Sequence, residues 1–321
     1  MIRAMLISAF ALGAFAAQAE TFTFVALGDN PYGKPEVVNP SFEALIETIN
    51  ARAPSFVLHI GDFKSGSTPC DDTMMQTQLG YMNSFAAATI YTPDDNEWTD
   101  CHREKAGRFD PLERLAYLRA NFFKDTAMSL GKVPVAEEVQ SVLMADKFGK
   151  FSENRRFVKA GVMVMTAHVV GSNNNFEVRN IGAVTEFIER DAANVAWVEA
   201  SFDAAIKGNA KAVVLGFQAD MFEFDFNAFG DETFLRHSGF GNFAGALVKK
   251  AAEFGKPVLI VYGDSHQFKV TRPFPTTGAN ILALEVYGET DMNAVEVTVK
   301  PDDAAVFSFT PVINPRPVPK S

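Results

Sequence analysis

Five short apolar runs in this chain each end at an acidic or amide residue. Asp29 follows the run 22–27, Asp62 follows 56–60, and the cluster Asp94-Asp95-Asn96-Glu97 follows Ile90-Tyr91. Gln218 follows the run 212–215, and Asp264 with His266 follows 258–262. In an α/β protein such positions are the carboxyl ends of strands, where sheets gather their ligand-binding loops. Carboxylate and amide oxygens joined by one imidazole are the donors of a centre for hard or borderline divalent cations.

The elements that must position these residues can be read from periodicity. Residues 21–27 read as a strand, and a polar loop 28–40 follows. Ser41 caps a helix with Phe42, Leu45, Ile46 and Ile49 on one face, and the strand 56–60 comes next. The 33 residues from Asp29 to Asp62 thus fit one βαβ unit, which sets both aspartates at the same edge of neighbouring parallel strands. Residues 71–88 and 110–124 read as helices around a short strand, 89–92. Two β-rich runs between 155 and 170 meet at Ala160-Gly161 as a hairpin or tight strand pair. A long helix, 186–206, carries Trp197, Val198 and Phe202 and precedes the strand 212–215; a helix 242–254 feeds the strand 257–262. The runs 281–287, 294–299 and 306–309 alternate and predict an antiparallel set. The Pro-rich tail 311–319 is barred from a central sheet. The expectation is two packed sheets with helices outside.

The ordered motifs Gly28-Asp29-Asn30, Gly61-Asp62, Pro93-Asp94-Asp95-Asn96-Glu97, a strand ending at Gln218, and Gly263-Asp264-Ser265-His266 resemble those of the calcineurin-like metallophosphoesterases. The family pattern is D-x-H, G-D-x, G-N-H-[DE], a strand-end H, then G-H-x-H, and the resemblance spans about residues 22 to 310. It implies a four-layer αββα fold with two metals at the carboxyl edge of the sandwich. Asp29, Asp62 and His266 keep the family's ligand types. Pro31 stands at the first histidine, Gln218 at the strand-end histidine and Asp264 at the first histidine of the last motif. Asp95 falls at the metal-ligand Asn and Asn96 at the catalytic His; a register shifted by one makes Asn96 the ligand and Glu97 the catalytic replacement. On this resemblance Asp62 bridges two cations. Asp29 and His266 complete one site, and Asp95 or Asn96, Gln218 and Asp264 the other. Replacing imidazoles by oxygens favours Mn²⁺, Mg²⁺, Fe or Ca²⁺ over Zn²⁺. An imidazole acid for the leaving group is missing, with Glu97 or His102 as the substitutes. His168, before the polar stretch 171–175, and His59 read as structural histidines.

Bulk properties narrow the class. Residues 1–19 read as a secretory signal: Arg3, an apolar stretch 5–17, then Ala17-Gln18-Ala19 before Glu20. Its removal leaves 302 of 321 residues, read as one domain, 20–321, and moves the formal charge from −10 to −11, because Arg3 is the only charged residue removed. The apolar stretch is too short for a membrane anchor, so an exported, periplasmic or secreted chain is expected. An acidic surface with no basic run disfavours nucleic acid. The two cysteines, Cys70 and Cys101, predict a disulfide tying two loops of the proposed site. P-loop, zincin, C-x-x-C and G-x-S-x-G signatures are absent.

The sequence therefore predicts an exported metal-dependent phosphoesterase acting on a small-molecule or surface phosphoester, monoester or diester. The competing expectation is an inactive member of the same fold that binds a ligand or protein. A third, a two-lobed periplasmic solute-binding protein, conflicts with the antiparallel C-terminal strands. The sequence does not set the oligomeric state.

Overall fold

The structure, a computed structural model, describes residues 19–223, 237–289 and 291–318. Residues 1–18 of the expected signal and the last residues of the tail lie outside this range. The strands are β1 Phe22–Leu27, β2 Phe56–His59, β3 Ala88–Tyr91, β4 Leu130–Gly131, β5 Glu138–Val139, β6 Arg155–Lys159, β7 Val162–Thr166, β8 Ala212–Gly216, β9 Val258–Tyr262, β10 Lys269–Thr271, β11 Ile281–Glu285, β12 Ala294–Val299 and β13 Phe307–Val312. They form a six-stranded sheet in the order β13-β12-β1-β2-β3-β4 and a seven-stranded sheet in the order β10-β11-β9-β8-β7-β6-β5.

The longer helices are α1 Pro35–Arg52, α2 Asp72–Met82, α3 Pro111–Phe122, α4 Ile181–Lys207 and α5 Gly241–Phe254. Strand alternation sorts the core into layers. Phe24 and Ala26 of β1 face inward and pack with Leu58, Val164, Val214 and Val261 between the two sheets. Their neighbours Val25 and Leu27 face outward, beneath Phe42, Leu45 and Ile49 of α1. On the far side, Val213, Leu215 and Ile260 pack under Val198 and Phe202 of α4 and Phe243 and Leu247 of α5. The result is a four-layer αββα sandwich with mixed sheets.

The βαβ unit from Asp29 to Asp62 is present: β1 and β2 run parallel, with Leu27 opposite His59. β6 and β7 form the hairpin, and its Ala160-Gly161 turn has φ of 48° and 77°, the left-handed pair of a tight two-residue connection. Three sequence expectations are corrected. Helix α1 begins at Pro35 rather than at Ser41, because Pro35 supplies a preset φ at the first helical position and Val38 adds a buried contact. Helix α2 stops at Met82. The C-terminal strands are not one antiparallel set. β11 joins the second sheet parallel to β9, whereas β12 and β13 cross to the first sheet and run antiparallel there. Pro311 lies within β13, which is tolerated because that strand is an edge.

Candidate metal centre

The loops leaving β1, β2, β3, β8 and β9 converge at one edge of the sandwich. Ligand atoms of Asp29, Asp62 and His266 lie within 4.8 Å of one another, and so do those of Asp62, Asp94 and Asp95. Asp62 is common to both groups, so the five side chains form two adjoining pockets with a shared carboxylate.

The backbone is bent to produce this arrangement. Asp29, Asp62, Asp264 and His266 have φ of 53°, 53°, 79° and 60°, left-handed values that residues with a Cβ adopt at a cost and that gather at functional sites. Gly61, at φ 97°, lets the two carboxylate loops meet: a Cβ there would lie 2.6 Å from Cβ of Asp94.

Hydrogen bonds fix the ligands. The Asp264 amide donates to both oxygens of Asp29, at 3.3 and 3.2 Å. The Asn96 amide donates to Asp62 Oδ1 at 3.1 Å, and its side-chain Nδ2 donates to Asp62 Oδ2 at 2.5 Å and to the Tyr32 hydroxyl at 2.7 Å. Tyr32 also donates to Asp62 Oδ2, and its ring meets His266 edge-on with centroids 5.3 Å apart. Glu97 is fully buried; its carboxylate accepts from the amides of Asp62 and Asp94 and from the Tyr91 hydroxyl.

The stretch 171–175 closes the second pocket from above. Ser172, Asn173, Asn174 and Asn175 have φ between 53° and 59°, one turn of left-handed backbone, which three asparagines make affordable because Asn tolerates that region. Gly171 donates to Gln218 Oε1 at 3.0 Å and to Asp94 Oδ1 at 3.3 Å, and the Ser172 hydroxyl donates to Asp95 Oδ2 at 2.9 Å. Arg190, wholly buried, holds the turn through Asn174. His168 is a core residue as expected, with Nδ1 on Glu153 at 2.9 Å; burial lowers its pKa to about 4. His59 is likewise interior, and burial lowers it to about 3.

Electrostatics mark the site as cation-seeking. Burial, then the neighbouring Asp264 charge, raises Asp29 well above the carboxylate range. Burial and Asp95 raise Asp62, burial and Asp62 raise Asp94, and burial and Asp100 raise Asp95. Burial brings Asp264 to about 7. Crowded buried carboxylates raise one another, and a bound cation reverses the effect. Asp94 Oδ2 is buried with no hydrogen-bond partner, as a ligand oxygen awaiting an ion would be. These donors fit a divalent metal.

Each sequence-derived candidate has a definite place. Asp29, Asp62, Asp95 and His266 contribute to the two groups. Gln218 lies beside them through Gly171, its amide drawing Asp29 and Asp264 down. Asp264 belongs to neither group; its Oδ2 accepts from the Asp220 amide at 3.2 Å. Asn96 sits on Asp62, and Glu97 points into the loop. The sequence reading missed Asp94, which it set at the family's glycine, and Tyr32. It also missed Lys64, whose buried ammonium donates to Ser65 O at 3.0 Å; burial lowers its pKa, while Glu97 and Asp62 hold it up. Asp94 was open to discovery as an acid in the same strand-end cluster; Tyr32 and Lys64 carried no local signal. Cys70 and Cys101 are bridged, as the sequence predicts.

A dimetal phosphatase from Danio rerio has a similar structure, with a TM-score of 0.54 over 91% of this chain and 99% of that one at 10% identity. The purple acid phosphatase PPD1 from yellow lupin (Lupinus luteus) seeds overlaps more loosely, with a TM-score of 0.46 over 92% of this chain and 54% of that one at 11% identity. No family model matches the sequence, and no curated protein is significantly similar to it. The chain therefore shares the fold of that dimetal phosphatase, a sandwich of two mixed sheets between helical layers.

Proposed function

We propose that the protein is an exported, metal-dependent phosphoesterase that hydrolyses a monoester or diester of phosphate. The observation that carries this reading is the pair of ligand groups sharing Asp62, set at the carboxyl edge of a sandwich whose counterpart is a dimetal phosphatase. Asp29, Asp62 and His266 would hold one divalent ion and Asp62, Asp94 and Asp95 a second, with Mn²⁺, Mg²⁺, Fe or Ca²⁺ suited to so oxygen-rich a set. Ions held there polarise a phosphoryl oxygen and lower the pKa of a water. Tyr32 and Asn96 orient the shared carboxylate. Glu97, with no path to solvent, positions Asp62 and Asp94 rather than meeting substrate. Gln218 and Asp264 flank the ligands, Gln218 through the Gly171 amide and Asp264 through its own amide on Asp29. Export is supported by the signal-like residues 1–19 and by the disulfide, which persists in oxidising compartments; the substrate would be a small-molecule or surface phosphoester rather than nucleic acid.

The mature protein with Mn²⁺ should release nitrophenol from a nitrophenyl mono- or diester, and Asp62→Ala should abolish the release. No turnover with any divalent cation across a broad phosphoester panel would overturn the reading. Metal binding without turnover would favour the ligand- or protein-binding alternative.

A further inference from the structure

A cavity of about 520 Å³ is walled by Thr99, Asp100, His102 and Ser172 among others. We infer that it receives the leaving group of a polar phosphate ester and that His102 gives the departing oxygen its proton. The inference rests on the phosphoesterase reading and assigns that site its substrate pocket and its missing acid.

The cavity is tied to the metal centre through Asp95. Ser172, on its wall, donates to Asp95 Oδ2 at 2.9 Å. Thr99 and Asp100, on the same wall, hang from the Asp95 carbonyl, which accepts from Thr99 Oγ1 and from the Asp100 amide at 3.0 Å each. A group esterified to a phosphate held at Asp95 would extend past Ser172 into this space.

The lining favours a hydroxylated or amide-bearing group over a lipid chain. Its charged side chains are Asp100, Arg103, Asp110 and Glu177, and the carboxylates are already partnered. Asp100 binds Arg103 at 2.6 Å, Asp110 caps α3 through the Leu112 and Glu113 amides, and Glu177 binds Arg179 at 2.8 Å. Asn175, Asn180 and Ser172 add neutral donors and acceptors to the wall.

His102 is suited to the proton transfer where its neighbours are not. Its Nδ1 lies 2.6 Å from the Thr99 carbonyl. A carbonyl only accepts, so Nδ1 keeps its hydrogen and Nε2 is the atom that gains and loses a proton. The side chain is exposed. Glu97 is enclosed, and the carboxamide of Asn96 donates hydrogen bonds but is no acid. As the oxygen of the attacking water bonds to phosphorus, the ester P–O bond breaks and its electron pair stays on the alcohol oxygen, which takes the Nε2 proton. The proton shed by the water passes to solvent, and solvent returns one to His102.

The test compares the Mn²⁺-loaded mature protein with His102→Gln on aryl phosphates of increasingly basic leaving group, ending at glycerol 2-phosphate. A lost general acid costs about 100-fold or more where the leaving group is basic. The expected result is a loss of that size on glycerol 2-phosphate, a much smaller one on 4-nitrophenyl phosphate, and unchanged metal content. An equal loss along the series, or none, overturns the role of His102. In Ala183→Phe, which fills the cavity from its α4 wall, KM for glycerol 2-phosphate should rise by a larger factor than the inhibition constant of inorganic phosphate; equal factors overturn the pocket. A wild type inert on every ester rejects the phosphoesterase reading itself, and this inference with it.

Discussion

The backbone amide of Asp62 donates to the carboxylate of Glu97, 3.1 Å from Oε2. The residue shared by both ligand groups is thereby oriented by an acid that never meets solvent. Glu97→Gln keeps the shape but turns one acceptor into a donor facing N–H groups, leaving a buried donor unpaired. We expect a loss of about 1–3 kcal/mol in stability and of about 10–100-fold in metal affinity, as for supporting partners of metal ligands. Thermal denaturation and Mn²⁺ titration measure the two, and unchanged affinity would remove Glu97 from the site.

Gly171 sits where the Asp95 and Asp264 carboxylates approach the left-handed turn. A Cβ there would lie 2.8 Å from Asp95 Oδ2 and 3.0 and 3.1 Å from the Asp264 oxygens. The turn cannot retreat, because Asn174 is bound to buried Arg190. Gly171→Ala should weaken metal binding and cost about 1–3 kcal/mol, as overpacking does. Calorimetric titration with Mn²⁺ would show it, and wild-type affinity would mean that the turn does not set the ligands.

The pH dependence of the metal-free protein has a definite sign. Asp29, Asp62, Asp94, Asp95 and Asp264 all have folded pKa values raised by burial, Asp264 to about 7. An acid raised on folding contributes stability that is full below its unfolded value and lost as pH rises through the folded value. The chelator-treated protein should therefore melt at falling temperature between about pH 5 and pH 8, and divalent cation should remove most of the slope. Asp264→Asn should raise the metal-free melting temperature at the alkaline end while weakening metal binding. A flat metal-free profile would show that the carboxylates are not mutually destabilising.

Cys70 and Cys101 are separated by 31 residues, and both sulfurs face the Asn96 carbonyl, at 3.6 and 3.7 Å. Their bridge anchors the loop that carries Asp94 and Asp95. Replacing both by Ser should cost about 3–4 kcal/mol from loop closure and lower affinity for the second cation more than for the first. Equal weakening of both would place the effect on stability alone.

Much of this was legible from the chain. Strand-end placement brought Asp29, Asp62, Asp95 and His266 to one edge because apolar runs of known length fix where a strand releases its loop. Gln218 and Asp264 were placed at the site by the same logic, and both lie there, Gln218 on the Gly171 amide and Asp264 beside Gly171 and Asp29. The motif register hid Asp94, since a glycine position was expected there, and its approach to Asp62 needs the bare backbone of Gly61, where a Cβ would meet Asp94. The roles of Tyr32, Lys64 and the 171–175 turn depend on contacts between segments far apart in sequence, which local periodicity does not encode. The sheet assignment of β11 failed for a related reason: an alternating strand carries no mark of its partner's direction.

The shared carboxylate is tested most directly by metal stoichiometry. The wild type and Asp62→Ala, reconstituted with Mn²⁺ and freed of excess, would be assayed by elemental analysis. Two ions per chain in the wild type and a loss at both positions in the variant are the predicted result, because Asp62 belongs to both groups. A wild type that takes up none, or a variant that keeps both, would contradict it.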